Sequence, residues 1–213
     1  MIDLETIWQA EVPARPFEYF VARNVLNISD LEDVRADFPR IERPGAFPLQ
    51  ELEYGPAFAR LVAELRNRDF TYVVGKKLRI NLTLKPLMIS VRGHSRITDG
   101  RIHTDSKKRA VSCILYLNDE RDMPEGNLRM LRNDSSYKRQ LAEISPSGGT
   151  LVAIKCSSRS WHGYLPYEGP RRCIVFNWMW SRTVRELERA RHRLSARIKS
   201  RCHPLSHLPM KLS

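Results

Sequence analysis

The chain has 213 residues, 42% hydrophobic and 28% charged, with a formal net charge of +12, the makeup of one ordinary globular domain with a sizeable core. No apolar run nears the ~20 residues that span a bilayer, and the N-terminal MIDLETIWQAEVPARPF has acids where a secretion signal carries positive charge, so a cytoplasmic location is expected. Four cysteines show no C-x-x-C pair or framework spacing and read as reduced thiols, Cys113, Cys156 and Cys173 in apolar segments and Cys202 in a basic tail.

In chain order, the first third reads as helical. Ser29 to Glu32 has the form of a capping box, followed by Leu31, Val34 and Phe38 on one face until Pro39 stops the helix. Pro56 opens a second helix with Phe58, Leu61, Val62 and Leu65 at i, i+3, i+4, i+7 spacing. From Leu78 the pattern changes to short apolar strands: RINLTLKPLMISVRG, AVSCILYLN, NLRML, GTLVAIKC and RRCIVFNWMW, separated by the turn-rich DERDMPEG, ISPSGG and LPYEGP. Strands of this kind behind a helical layer predict a β-sandwich or jelly roll backed by helices, mainly β within an α+β class. Two units are expected, 1–180 (helical support over about 1–77, β core over about 78–180) and a basic helical tail over 181–213. The tail holds nine Lys/Arg against two Glu, so it carries +7 of the +12. Such a concentration predicts either contact with an anionic partner or a solvated Arg-rich helix.

The chemistry gathers around IHTDS. Two residues apart on a strand, side chains share a face about 6.6 Å apart, so His103 and Asp105 can converge on one metal ion. His162, just after the apolar strand GTLVAIKC, can supply a third ligand. Two histidines and a carboxylate form the facial triad of non-haem Fe(II) oxygenases, which leaves coordination positions open. The plainer alternatives are a surface-loop His103 and a core His162. Arg171 follows nine residues after His162 and opens the strand RRCIVFNWMW, where a guanidinium fork can grip a carboxylate bidentately. The sequence alone sets no oligomeric state.

With these motifs in place, the chain resembles the 2-oxoglutarate- and Fe(II)-dependent dioxygenases, in their prolyl-4-hydroxylase-like branch. The resemblance runs over HTD, CILYLN, EGNLRML, ISPSGGTLVAIKCSSRSWHGYLP and GPRRCIVFNW, about Leu78 to Trp180, with a similar lead-in at PFEYFVARNVLNISDLEDVRADFP. It implies a double-stranded β-helix of the jelly-roll or cupin kind. It also implies Fe(II) on His103, Asp105 and His162, with 2-oxoglutarate and O2 as cosubstrates and ascorbate as a reductant. Arg171 would take the distal carboxylate of 2-oxoglutarate, with Arg172 its rival and Tyr116 a hydroxyl partner. Arg92, Asn177 and Trp178 are candidates for the pocket lining. Arg92 stands where several relatives have tyrosine, and Cys173 where the family has serine. Asp105 argues for hydroxylation, because related halogenases lack that carboxylate. The implied activity couples decarboxylation of 2-oxoglutarate to succinate with C–H hydroxylation of a small molecule, a sugar or lipid derivative, or a peptidyl residue. A nucleic-acid substrate is the alternative motivated by the tail, although RRCIVFNWMW lacks the N-x-T-x-R of nucleic-acid demethylases. A non-catalytic cupin-like metal-binding scaffold is the alternative of a different class. Lys107, Lys108 and Arg109 beside the triad read as solvated charge or as a lure for an anionic substrate. The loops His94–Ile102 and Asp119–Gly126 are expected to carry substrate contacts.

Overall fold

A computed structural model of the chain describes residues 1–119, 126–183, 185–187 and 190. Four helices come early: α1 (Leu4–Gln9), α2 (Ile28–Ala36), α3 (Pro56–Leu65) and α4 (Arg68–Lys77). α2 is capped by Asn27, whose side chain accepts from the Asp30 N–H. The cap expected at Ser29 is thus two residues late, since asparagine serves a cap as well as serine does. α3 starts at Pro56 as the sequence predicts. α1 and α4 have no counterpart among the predicted elements.

Nine strands follow the same order of introduction: β1 (Tyr19–Ala22), β2 (Phe47–Pro48), β3 (Leu87–Ser95), β4 (Arg109–Tyr116), β5 (Leu128–Leu131), β6 (Gln140–Ile144), β7 (Leu151–Lys155), β8 (His162–Gly163) and β9 (Gly169–Met179). They form a six-stranded sheet in the order β1-β7-β4-β9-β3-β2 and a three-stranded sheet in the order β6-β5-β8. All the strand pairings are antiparallel. The first of the predicted β segments begins at Leu87 rather than Leu78, because Leu78 caps α4 and residues 79–86 turn instead of pairing.

The large sheet is buried on both faces, and residue parity decides which. Val111, Cys113 and Leu115 of β4 and Ile174, Phe176 and Trp178 of β9 join Phe58, Leu61, Leu65, Phe70 and Val74 of the helices in one core. The opposite face gives Tyr116, Val152, Ile154 and Cys173 to a second core shared with Leu128, Met130 and Ile144 of the small sheet. Burial on both sides is why these strands read as unbroken apolar runs instead of alternating ones.

The β3–β9 pairing shifts register once: Arg92 opposes Cys173, while His94 opposes Pro170. Arg171 and Arg172 therefore stand together opposite Gly93, a β-bulge of the sort that re-aims side chains beside functional sites. Gly93 has no room for a larger residue, since a Cβ there would lie 2.3 Å from the Ile41 carbonyl oxygen. No described helix is long and apolar enough to cross a membrane. Beyond Ala190 the expected tail helix lies outside the described residues, as do residues 120–125 of the expected substrate loop.

Candidate metal and cosubstrate site

The site is an open cavity of about 350 Å³ between the two sheets. Parity fills it. From β4 come Arg109, Ser112, Ile114 and Tyr116; from β9, Arg171, Cys173, Val175 and Asn177; from β3, Ser90 and Arg92. Arg172, one residue on from Arg171, is absent from the lining, as alternation requires. Trp178 is a correction. It faces the helices, 1% exposed, stacked on Phe70 at 6.2 Å and edge-on to Phe176 at 5.7 Å, because it differs in parity from Asn177, which does enter the cavity.

His103, Asp105 and His162 present ligand atoms that all lie within 4.8 Å of one another. The means differ from the expected H-x-D strand. His103 makes a single antiparallel bridge to His162, each backbone N–H donating to the other's carbonyl at 3.0 Å. That places the two imidazoles 4.4 Å apart between centroids. Asp105 lies in the loop between this bridge and β4.

Each ring is set by its second nitrogen. His103 Nδ1 is 2.8 Å from the Arg101 carbonyl and His162 Nδ1 is 2.9 Å from that of Ser160. A carbonyl only accepts, so each Nδ1 carries a proton, and in the neutral ring Nε2 is then the nitrogen with a lone pair for a metal. Burial pushes the His162 imidazole below its ordinary pKa against the pull of Asp105, which favours the neutral, ligating form.

Burial raises the Asp105 carboxyl, but Arg109, His162 and His103 outweigh it and hold the group below its ordinary value. Arg109 donates to Asp105 Oδ1 at 2.6 Å, while Oδ2 faces His162 Nε2 at 3.8 Å. One carboxylate oxygen is thus anchored and the other is turned to the histidines. Two imidazoles and one carboxylate suit a divalent first-row metal. Neither expectation for Arg109, solvated charge or a lure for an anionic substrate, has it hold Asp105. Its i, i+4 spacing from Asp105 (inward, ahead of β4) was the available signal, whereas Lys107 and Lys108 are exposed.

Away from the triad, Arg171 is 2% exposed. It donates to the Gly126 carbonyl at 2.8 Å and to the Tyr116 hydroxyl at 3.0 Å, and its guanidinium stacks on the Tyr164 ring at 3.9 Å. Among the described residues no carboxylate pairs with it. A buried cation without a counter-ion is costly, and a ligand carboxylate supplies one. Burial pushes the Tyr116 hydroxyl up to about 12, so it stays protonated and can donate onward to an anion. Tyr164 was not foreseen, although it lies two residues from His162.

Residues 93–180 match the family model of the 2OG-Fe(II) oxygenase superfamily. That span contains His103, Asp105, His162 and Arg171. Members use iron and 2-oxoglutarate, and the donor set above fits both. None of the curated proteins compared matches the chain in sequence. Among solved structures, the chain is similar to a Pseudomonas putida prolyl-4-hydroxylase at 19% identity and TM-score 0.53, over 83% of this chain and 98% of that one. It is also similar to a Trichoplax adhaerens prolyl hydroxylase in complex with a hypoxia inducible factor oxygen degradation domain peptide fragment, at 16% identity and TM-score 0.52, over 81% and 86%. A third is HygX from Streptomyces hygroscopicus with nickel and 2-oxoglutarate bound, at 15% identity and TM-score 0.51, over 76% and 81%. These identities establish a shared fold, the double-stranded β-helix.

Proposed function

We propose that the oxygenase is a hydroxylase in which His103, Asp105 and His162 hold Fe(II) and Arg171 with Tyr116 holds the distal carboxylate of 2-oxoglutarate. The observation that carries this reading is the buried Arg171 guanidinium, which no carboxylate pairs with among the described residues, in the same cavity as a clustered His-Asp-His set. Iron with bound 2-oxoglutarate supplies the oxidising power, turning 2-oxoglutarate and O2 into succinate and CO2 while one oxygen atom goes to a C–H bond of the substrate.

The chain's own residues do the rest. The carbonyls of Arg101 and Ser160 fix the ring tautomers. Arg109 holds one oxygen of Asp105, and the Tyr116 hydroxyl donates to the same anion that Arg171 grips. Ile114, Leu128 and Val175 give the cavity apolar wall that keeps water away from a reactive centre. The retained carboxylate at Asp105 supports hydroxylation, since it fills a position a halide would need. Substrate identity and the anionic partner of the basic tail stay open within this reading.

The test is turnover of 2-oxoglutarate to succinate in the full chain with Fe(II), ascorbate and O2. Succinate formation is expected in wild type, and loss of at least a hundredfold in Asp105→Ala, roughly the upper range for weaker outer partners of a metal. Equal succinate formation in both proteins would contradict the assignment.

A further inference from the structure

Ser90 is 1% exposed, and its hydroxyl has no hydrogen-bond partner among the described residues. It lines the cavity, as does Arg92 two residues along β3 on the same face. Buried hydroxyls in folded proteins are nearly always satisfied, so an orphan aimed into a ligand cavity points to a ligand atom.

Arg92 is also incompletely held. Its Nη1 lies 3.4 Å from the Tyr164 hydroxyl and 3.8 Å from Asp99 Oδ2, both longer than the roughly 2.7–2.9 Å of a charge-assisted hydrogen bond to an anion. Tyr164 is engaged with Ser95 at 2.8 Å, and Asp99 accepts from the Arg96 backbone N–H at 3.2 Å and from its side chain at 3.4 Å. With a quarter of its side chain exposed, Arg92 can reach a group in the cavity without leaving a strong partner.

Charge points the same way. Among the described lining residues three guanidiniums, Arg92, Arg109 and Arg171, stand against one carboxylate, Asp105. Fe(II) and the 2-oxoglutarate dianion cancel each other, so loading the site leaves the imbalance in place. A cavity with two net positive charges and a low-dielectric wall attracts a further anion.

We infer that Arg92 and Ser90 form a second anion-binding subsite, which grips a carboxylate or phosphate group carried by the substrate to be hydroxylated. The guanidinium supplies the charge and two N–H donors, and the Ser90 hydroxyl supplies a third donor from the sheet floor. This rests on the proposed function, in which Arg171 is already taken by 2-oxoglutarate. It deepens that reading by setting the substrate class: a molecule with an acid group, held by Arg92 while its C–H bond is presented to the triad.

The test uses the full chain, loaded anaerobically with Fe(II) and 2-oxoglutarate, and titrated calorimetrically with acetate and with methyl phosphate. Loading is followed by the visible charge-transfer absorption of chelated 2-oxoglutarate. We expect one anion to bind wild type at one site per chain, about tenfold or more weakly in Arg92→Gln, and with a smaller, severalfold loss in Ser90→Ala. Both variants should develop the charge-transfer band at the wild-type 2-oxoglutarate concentration, which also certifies their fold. The anion that binds more tightly distinguishes carboxylate from phosphate as the substrate's acid. The subsite is overturned if neither anion binds loaded wild type, or if Arg92→Gln binds them equally well. It is overturned too if Arg92→Gln needs as much extra 2-oxoglutarate as Arg171→Gln, since Arg92 then serves the cosubstrate. Absence of the band in wild type is a different failure, that of the cofactor reading itself, and the subsite falls with it.

Discussion

The two faces of strands β4 and β9 are built from alternate residues of the same few segments, yet they follow opposite rules. On the helix side, Val111, Cys113, Leu115, Ile174, Phe176 and Trp178 are sealed, 1% exposed or less, and almost wholly apolar. On the cavity side, Ser112, Tyr116, Arg171 and Asn177 are as deeply buried or nearly so, but polar. Ser112 donates to Asn177 at 2.6 Å, and Arg171 leans on Tyr116. One face spends its burial on stability. The other buries the Arg171 guanidinium with no carboxylate partner among the described residues. A single strand can serve both because its side chains alternate strictly.

The largest effect should come from breaking the sealed face. Phe176→Ala should cost about 3–5 kcal/mol of unfolding free energy, read by urea denaturation, while the folded fraction still binds metal. Next, His162→Ala should weaken Fe(II) binding by roughly a hundredfold or more in equilibrium dialysis, with much less change in the unfolding midpoint than Phe176→Ala gives. Arg171→Gln should raise the 2-oxoglutarate concentration needed for half-saturation by about 10- to 100-fold, the range of a lost charge-assisted bond. It should leave stability close to wild type, because the hydrogen bonds lost to Gly126 and Tyr116 are offset by relief of the cost of burying the charge. Tyr116→Phe is the mildest: deleting one hydroxyl should cost about 1 kcal/mol of cosubstrate binding, read in the same titration. If Arg171→Gln instead unfolded the chain and Phe176→Ala abolished metal binding, the division between faces would be wrong.

Much of the site was legible because its chemistry is local. H-x-D, the distant His162 and Arg171 nine residues on are spacings that survive without knowing the fold; parity says only that one of Arg171 and Arg172 enters the pocket, and the resemblance, with Cys173 at the family's serine position, picks Arg171. Parity also misplaced nothing it was applied to; Trp178 was misread because Asn177 and Trp178 were taken together, though neighbours cannot share a face. Other features needed tertiary pairing. The bridge between His103 and His162, the shift that sets Arg171 and Arg172 opposite Gly93, and the turn of Arg109 onto Asp105 all depend on which strands meet. The short β1, β2 and β8 are strands only by virtue of their partners, and a few residues carry no periodicity to read. α4 was missed because Arg68, Asp69, Lys76 and Lys77 at its ends outweigh its short apolar stripe of Phe70 and Val74.

The most direct test of this account is an anaerobic titration of the full chain with Fe(II) and 2-oxoglutarate, followed in the visible range. The account predicts a charge-transfer band in wild type, no band in His162→Ala, and a band in Arg171→Gln only at far higher 2-oxoglutarate. A protein that binds Fe(II) yet gives no band at saturating 2-oxoglutarate would contradict it.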